Sequence, residues 1–582
     1  MRSVNTDTAG HVSINARDQQ CVTVGNFRRG HQLIRPTRGA TDIDDPSGTH
    51  TSRVSLLGWL SRSVGCRYAH RPRSTSSTTL QRLLRYFRAP QRQCAHGANL
   101  QELVLTPAAV NQAQFGKLFS CAVDGYVYAQ PLYVADLAIP DQGTYNAVFV
   151  ATEHGSVFAF DADDPTCVQL WMTSFIDPDN GITTVPSDDV LSDDIAPEIG
   201  ITGTPVIDPQ TGILYVVVRT KENGSYVQRL HALDITTGAE ALGGPVGIDA
   251  SVPGTGDGSD GANISFEPLR QNQRAALLLS QGVVYIAFAS HGDYGPYHGW
   301  LLGYDAATLQ QVAVFNATPN GGAGGIWQSG GGPSADTSGN IYVITGNGTF
   351  DADVGGMDFG DSFLKLSTQS GGLTVADFFT PFNQASLEAN DLDLGSTDPL
   401  LLPDQTDTDH PHLVLGAGKD GNAYLVDRDQ MGQFTSSDNS QIVQTITVSP
   451  DGVFCAPAVW ENNVYFAASG DVLKAFQLSG GLLSTTPTSQ GNTVLSYPGA
   501  TPVISADGST NGIVWVLDNH DGGLAVLRAY DATDVSRELY NSTEAGDRDQ
   551  AGPAVKFAVP TVANGKVYVG GQYQLTVFGL LQ

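Results

Sequence analysis

The chain has 582 residues, with 59 acidic against 30 basic side chains and a formal net charge of −29. A content of 41% hydrophobic and 15% charged residues excludes a chain that is disordered throughout, and the acidity argues against nucleic acid as a partner, because that binding relies on Lys and Arg at the phosphates. No run of about 18 apolar residues occurs that would predict a membrane span.

The N-terminal part of the chain has a different composition from the rest. Residues 1–100 contain 15 Arg and 5 Asp but no Lys and no Glu, whereas the remainder is strongly acidic. Because this part also lacks apolar periodicity, we predict that residues 1–98 form a disordered basic segment. It is interpreted either as an organellar transit peptide or basic binding arm, or as the product of a misassigned start site; no secretory signal follows Met1.

From about residue 116 onward the sequence is a repeat of short β-strand patterns. Each copy has an apolar run, a turn, a run such as Val-Tyr-Val, a loop, and an apolar run that often ends in Asp-Ala. The centres of the eight copies lie 50 to 72 residues apart, at Phe149, Tyr215, Tyr285, Tyr342, Val414, Tyr465, Trp515 and Tyr568. This spacing suits four-stranded propeller blades with long loops.

The two ends of the repeat predict how the ring closes. The last copy ends soon after its third strand, and an unassigned strand pattern, KLFSCAV (117–123), precedes the first copy. We therefore predict that residues 99–582 form an all-β domain, an eight-bladed β-propeller of four-stranded antiparallel blades in which this N-terminal strand completes the last blade. Cys121 lies within that strand and is expected to be a buried, unreactive thiol.

Three segments of the repeat resemble the pyrroloquinoline quinone (PQQ) repeat. They are VFVATEHGSVFAFDA (148–162), LYVVV followed by RLHALDITTG (214–218 and 229–238), and NGKVYVGGQYQLTVFGL (564–580). The chain thus resembles the quinoprotein alcohol dehydrogenase-like β-propellers over about residues 116–582. That resemblance implies PQQ stacked on a tryptophan, Ca²⁺ held by Glu, Asn and Asp, and a ring of two adjacent disulfide-bonded cysteines. This sequence has no adjacent cysteines, no Cys-x-x-Cys-His haem motif and no zinc spacing.

Propeller topology predicts where a binding site would lie. The loops that enter the first strand of each blade share one face with the loops between second and third strands, and these loops carry the unusual polar residues. The candidates for ligand contact at this rim are Glu198, Arg270, Asn272, Arg274, His291, Asp293, His298, Trp327, Lys419 and Lys556.

Each candidate also has a structural interpretation. Glu198 could cap a strand turn, and Arg270 or Arg274 could form an ion pair with Glu267 or a neighbouring Asp. The two histidines could brace their loop by hydrogen bonds, and Trp327 could pack between blades. No catalytic residue and no metal ligand set is assigned from the sequence.

Two classes of function remain. The first is an exported, extracellular or periplasmic monomer that uses the rim without catalysis to bind a small molecule, glycan or peptide. The second is a PQQ- and Ca²⁺-dependent dehydrogenase that oxidises an alcohol, aldehyde or sugar. In the second, Arg and Lys would pair with the quinone carboxylates, Trp327 would stack, and Glu198 would coordinate the metal.

Overall fold

The computed structural model describes residues 98–369, 371–406, 408–519 and 522–581. Within these ranges the chain is an eight-bladed β-propeller of small antiparallel sheets, which confirms the predicted fold. The predicted disordered segment lies, apart from Ala98, outside the described residues.

The blades are numbered in chain order, and their strands run outward from the first in each blade. Blade 1 contains Leu132–Ile139, Gly143–Thr152, Ser156–Asp161 and Gln169–Ser174; blade 2, Val206–Asp208, Ile213–Glu222, Ser225–Asp234 and Val246–Gly247; blade 3, Gln271–Asn272 with Leu278–Ser280, Val283–Ser290, Trp300–Asp305 and Gln311–Asn316; blade 4, Ser334–Ala335, Ile341–Ile344, Phe363–Ser367 and Thr374–Phe379; blade 5, Leu400–Leu401, Leu413–Ala417, Asn422–Asp427 and Gln444–Thr447; blade 6, Ala458–Trp460, Asn463–Phe466, Val472–Ser479 and then Leu482–Leu483 with Ser489–Val494; blade 7, Val503–Asp507, Thr510–Asp518, Val526–Asp531 and Glu538–Asn541; blade 8, Thr561–Ala563, Lys566–Leu580 and Phe115–Tyr126.

The remaining elements are short and lie between or beside the blades. They comprise the strands Ala98–Asn99, Ile182–Thr183, Val185–Pro186, Glu198–Ile199, Ser251–Pro253 and Asn263–Ser265, the α-helices Ser187–Val190 and Gln384–Ala389, and the 3₁₀ turns Pro178–Asn180, Ala352–Val354, Leu394–Ser396 and Gly546–Asp549. Among the residues described, none of the helices has the length and hydrophobicity that crossing a lipid bilayer requires.

The core consists of hydrophobic clusters between consecutive blades. Side chains alternate along a strand, so one strand contributes to the clusters on both sides of its blade. In Ile213–Glu222, Leu214 and Val216 pack against blade 1, whereas Tyr215 and Val217 pack against blade 3. Burial on both faces explains why the strands read as continuous apolar runs, as they do in sheets covered on both sides.

The ring closes as the sequence predicts. Phe115–Tyr126 pairs antiparallel with the last strand, from Phe115 opposite Leu580 to Tyr126 opposite Gln572. A hydrophobic cluster then joins blade 8 to blade 1 through Tyr568 and Leu575 on one side and Val148 and Phe158 on the other. Since the closing strand occupies the outer position of blade 8, the last blade is completed by the beginning of the described chain.

The prediction that Cys121 is a free thiol is wrong. Cys121, in the closing strand of blade 8, forms a disulfide with Cys167, in the loop before the fourth strand of blade 1, and their Cα atoms are 5.4 Å apart. The two cysteines are 46 residues apart in sequence, and packing of the closing strand against blade 1 brings them together. Among the described cysteines Cys455 is free and buried.

A second contact ties the N-terminal part of the described chain to the propeller. Ala98–Asn99 pairs parallel with the first strand of blade 7. The carboxylate of Glu102, which is 1% exposed, accepts hydrogen bonds from the backbone N–H groups of Val104, Leu105 and Gly565 at 2.8, 3.1 and 3.0 Å. This segment therefore spans blades 7 and 8 before the closing strand begins.

Candidate functional site

A cavity of about 170 Å³ opens at the rim where the first strands of the blades begin. We call it the mouth cavity. It is lined by Tyr128, Asp194, Ile195, Asn272, Arg274, Ser290, Gly292, Asp293, Trp327, Ser329, Asp393, Ser396, Lys419, Phe454, Tyr497, Lys556 and Phe557. These residues come from loops that are far apart in sequence, and the radial arrangement of the blades makes them neighbours.

Six of the ten predicted rim residues line the mouth cavity: Asn272, Arg274, Asp293, Trp327, Lys419 and Lys556. The other four, Glu198, Arg270, His291 and His298, are not among its lining residues. The structure thus brings together the majority of the candidates. Their binding of a ligand stays a prediction.

Arg274 is the most unusual group in the mouth cavity. Its side chain is 6% exposed, and its guanidinium carbon lies 5.6 Å from the ring centre of Tyr128 and 5.1 Å from that of Phe557. The Nη2 atom is buried and has no hydrogen-bond partner in the described chain. Burial lowers the pKa of Arg274, although Tyr128 and Glu153 raise it. Arg274 is therefore a cation held between aromatic rings, and one of its N–H donors is unused in the described chain.

Trp327 supplies a second unused donor. Its Nε1 atom is buried and makes no hydrogen bond with any residue described. A buried indole N–H normally finds an acceptor, so both Trp327 and Arg274 lack partners that a ligand can provide. Nearby, Phe454 and Tyr497 form an edge-to-face pair with ring centres 5.3 Å apart. Five aromatic side chains thus line the cavity: Tyr128, Trp327, Phe454, Tyr497 and Phe557.

The two lysines of the mouth cavity are already paired. Lys419 Nζ lies 2.9 Å from Asp391 Oδ1 and 2.6 Å from Asp393 Oδ2. Lys556 Nζ lies 2.8 Å from Asp194 Oδ1. Arg274 is therefore the cation of this cavity without a carboxylate contact among the described residues.

Asp293 is the carboxylate of the cavity that is not paired with a lysine. It accepts a hydrogen bond from the hydroxyl of Tyr297 at 2.9 Å. Burial raises the pKa of Asp293, and the negative charge of Asp393 raises it further, although the Tyr297 hydrogen bond and Lys419 lower it. A carboxyl group in this setting can accept a hydrogen bond from a polar group of a ligand, or donate one when it is protonated.

The four candidates outside the cavity have other contacts. Glu198 receives hydrogen bonds from His154 Nδ1 at 3.0 Å and from Thr184 Oγ1 at 2.7 Å. His298 bonds to Thr318 Oγ1 at 2.9 Å and to the Asp257 carbonyl at 2.8 Å, so it braces its loop. Glu198 lies in a short two-stranded arm with Val185–Pro186, and this arm keeps it out of the cavity lining.

His291 belongs to a buried layer with Arg219 and Glu153, and the half-buried Arg270 lies beside it. His291 Nε2 contacts Arg219 Nη1, and burial lowers the pKa of His291, as do the charges of Arg219 and Arg270. Glu153 Oε2 accepts hydrogen bonds from the Gly200 N–H at 2.9 Å and the Thr202 hydroxyl at 3.1 Å, while Oε1 has no partner in the part of the chain described.

Several residues of the site were missed from the sequence although signals for them existed. Tyr497 and Phe557 lie in loops that the sequence places before first strands, SYPGATP (496–502) and RDQAGPAVKF (548–557). Glu153 lies in the loop Thr-Glu-His (152–154), which joins the second and third strands of blade 1. Their loop positions could have identified all three, but Tyr and Phe are common in cores and gave no sign of a site, and Glu153 lies outside the cavity lining, in the buried layer with His291.

Glu153 predicts a pH dependence of stability. Burial raises its pKa to about 7 from an ordinary value of 4.5. Since the folded protein holds this proton more tightly than the unfolded chain, the stabilisation is complete below pH 4.5 and is lost as the pH rises to 7. We expect Glu153→Gln, which keeps the neutral shape, to gain about 2–3 kcal/mol in unfolding free energy relative to wild type between pH 5 and pH 8.

The measurement is urea denaturation of both proteins at several pH values. Glu544→Gln, at an exposed position, serves as the matched control and should show no such gain. A difference between Glu153→Gln and wild type that does not change with pH would contradict the prediction.

The described residues contain no group of three or more His, Cys, Asp or Glu side chains placed to hold a metal ion. Glu198, which the resemblance implies as a calcium ligand, is bonded to His154 and Thr184. Glu198 is therefore separated from Asn272 and Asp293, which line the mouth cavity.

No protein-family model and no curated protein sequence matches the chain. Solved structures do match. A europium-containing methanol dehydrogenase aligns with a TM-score of 0.55 and 12% identity, covering 86% of this chain and 100% of that one. The quinohemoprotein alcohol dehydrogenases of Pseudomonas putida HK5 and Comamonas testosteroni align with TM-scores of 0.51 and 0.50 at 14% and 15% identity, each covering 82% of this chain and 78% of that one. At these identities the likeness shows that the chain shares the eight-bladed fold of the quinoprotein dehydrogenases.

Proposed function

We propose that this protein is an exported, PQQ-repeat-like propeller that binds a small, planar, anionic molecule in the mouth cavity and does not transform it. The observation that carries the proposal is the buried guanidinium of Arg274, which lines the cavity with Nη2 unpaired and with no carboxylate contact among the residues described. An unpartnered buried cation is costly, and an anionic ligand would satisfy it.

The chemistry of the walls supports a planar ligand. Tyr128, Phe454, Tyr497 and Phe557 line the cavity, together with the indole of Trp327. Aromatic faces favour flat conjugated ligands, and the free Trp327 N–H adds one donor toward a carboxylate or carbonyl oxygen. Arg274 would pair with an anionic group of the ligand, and Asp293 would face a polar group on another edge.

The fit to PQQ itself is partial. The planar tricarboxylate suits Arg274 and Trp327, but the two lysines that would bind further carboxylates are already paired with aspartates. Cys455 has no cysteine next to it in sequence for a disulfide ring, and Glu198 does not line the mouth cavity. Binding without catalysis is therefore the function that these residues support best, and no catalytic step is assigned.

A PQQ-dependent dehydrogenase is the second candidate. It is supported by Trp327 and Arg274 at one cavity and by the fold shared with the quinoprotein dehydrogenases. Both functions place a planar anion at the same site, and they differ in whether the bound quinone is reduced by a substrate.

The Cys121–Cys167 disulfide supports export. Disulfides form and persist in oxidising compartments such as the periplasm or the extracellular space. We therefore place the binding function outside the cytoplasm.

The proposal is tested by calorimetric titration with two probes, PQQ and pyridine-2,6-dicarboxylate, and with the neutral pyridine-2,6-dicarboxamide for comparison. We expect the anionic probes to bind wild type better than the diamide. We expect Arg274→Gln to weaken them about 10- to 100-fold, the effect of losing a hydrogen bond to a charged group. Arg537→Gln, at a side chain that is 61% exposed and paired with Asp531, is the matched control.

Equal binding of the diamide and the dicarboxylate, or unchanged affinity in Arg274→Gln, would overturn the proposal. The second candidate is tested in the same samples by adding Ca²⁺, an alcohol and a redox dye. Dye reduction that depends on PQQ would replace the noncatalytic function by the dehydrogenase.

A further inference from the structure

A second, smaller chamber lies on the propeller axis below the mouth cavity. Its volume is about 30 Å³, and every blade or the loop leading into it contributes to its wall. It is lined by Gln130, Thr204, Ala276, Gly330, Gly331, Asp398, Leu400, Ala456, Pro457, Thr501, Pro502, Val503 and Val559. We call it the axial chamber.

The chain path fixes the position of this chamber. In six blades a residue of the axial chamber follows by two positions a residue of the mouth cavity: Tyr128 and Gln130, Arg274 and Ala276, Ser329 and Gly331, Ser396 and Asp398, Phe454 and Ala456, Phe557 and Val559. Two residues of extended chain advance about 7 Å. The axial chamber is therefore one layer deeper than the mouth cavity and is a separate site.

Asp398 is the ionisable residue among those that line the axial chamber. It is 4% exposed, and its Oδ1 atom has no hydrogen-bond partner in the described chain. Its other oxygen lies against Gly331, where a Cβ atom would approach Oδ2 to 2.5 Å. A glycine at this position thus lets the backbone of blade 4 pass beside the carboxylate.

Uncharged oxygen atoms accompany this carboxylate. Thr501 lines the chamber, and its buried Oγ1 atom has no hydrogen-bond partner among the described residues apart from the neighbouring thiol of Cys455. Gln130 and Thr204 add a side-chain amide and a hydroxyl to the wall; Thr204 Oγ1 accepts a hydrogen bond from the Gln130 backbone N–H at 2.9 Å, and Gln130 Nε2 donates one to the Pro560 carbonyl at 3.0 Å. Among the described residues no lysine, arginine or histidine lines the chamber. One negative charge with neutral oxygens is the ligand chemistry of a hard cation.

We propose that the axial chamber binds a single alkali cation, Na⁺ or K⁺, between Asp398 Oδ1 and Thr501 Oγ1. One carboxylate balances one positive charge, whereas a divalent ion would leave a net charge in a buried site. A water molecule needs about 10–15 Å³ of cavity volume measured in this way. The chamber, at about 30 Å³, therefore has room for one ion and one water molecule. This site is independent of any ligand in the mouth cavity.

The competing occupant is a proton. Burial raises the pKa of Asp398 to about 7, although backbone N–H groups of Asp398 and Gly332 lower it. A protonated, neutral Asp398 hydrogen-bonded to a water molecule would also leave no unbalanced charge in the chamber. The two occupants differ in how stability responds to ions and to pH.

The first test is thermal unfolding at pH 8 in NaCl, KCl and choline chloride at equal concentration. We expect the melting temperature of wild type to be about 1–3 °C higher in NaCl or KCl than in choline chloride. Asp398→Asn and Thr501→Val should lose most of this difference. Asp141→Asn, at an exposed turn, should keep it.

The second test does not depend on whether a variant folds. Crystals of the wild-type protein grown in RbCl should show an anomalous scattering peak beside Asp398. No peak at this position, or a melting temperature that does not distinguish sodium and potassium from choline, would overturn the proposal. The proposal would also be overturned if acidification to pH 6 stabilised the wild-type protein equally in choline chloride and in sodium chloride. That result would show that a proton, and not a cation, neutralises Asp398.

Discussion

Phe115→Ala should cost about 3–5 kcal/mol in unfolding free energy, the range for removing a fully buried phenylalanine side chain. Phe115 is the first residue of the closing strand and is 0% exposed. Its ring centre lies 4.8 Å from that of Tyr540 in an edge-to-face arrangement, 5.4 Å from Trp515 and 6.4 Å from Phe578. It therefore joins the closing strand to blade 7 as well as to its own blade.

Urea denaturation monitored by tryptophan fluorescence measures this loss, since Trp515 is part of the same cluster. Phe382→Ala removes the same atoms from a side chain that is 44% exposed, and it should cost less than about 1 kcal/mol. A similar cost for both variants would show that the closing strand does not stabilise the ring.

Replacing both Cys121 and Cys167 by serine should lower the unfolding free energy by about 4 kcal/mol. The disulfide closes a segment of 46 residues, and the chain-entropy relation gives this magnitude for a loop of that length. In the folded ring it links blade 8 to blade 1, whereas Phe115 packs the same closing strand against blade 7.

A reducing agent should reproduce the loss in wild type and have no further effect in the double variant. Cys455→Ser is the control, because this buried thiol forms no disulfide. A wild-type protein equally stable with and without reductant would contradict the prediction.

The architecture could be predicted from the sequence because each blade is covered on both sides. Strands that are buried on both faces consist of continuous apolar runs such as ILYVVV (213–218). Eight repeats of such strands at similar spacing predict a ring of sheets, because in a ring both faces of every sheet are buried. Closure was predictable for a related reason, since the last unit lacks a strand and residues 117–123 supply one.

The disulfide could not be predicted in the same way. Cys121 and Cys167 lie in different blades, and neither local spacing nor residue type indicates their contact before the ring is closed. Cys121 has the apolar neighbours of a core thiol, which is why the sequence indicated one.

The candidate site was predictable where strand direction alone decides position. Arg274 and Trp327 follow this rule, because both lie on the approach to a first strand and both line the mouth cavity. Glu198 precedes blade 2 in the same way, but the small arm with Val185–Pro186 holds it against His154. Partner choice of this kind depends on long-range packing that strand patterns do not encode.

Pairing of the closing strand with the last strand has a consequence for biosynthesis. Phe115–Tyr126 emerges from the ribosome before blade 1, yet its partner, Lys566–Leu580, is made more than 400 residues later. Until then one edge of the nascent sheet array and one apolar face of blade 1 lack their native cover, which invites aggregation. Cys121 and Cys167 are both synthesised while the closing strand is still unpaired, so their disulfide can form before the last strand is made. We expect this protein to depend on chaperones during synthesis more than a domain whose strands pair locally.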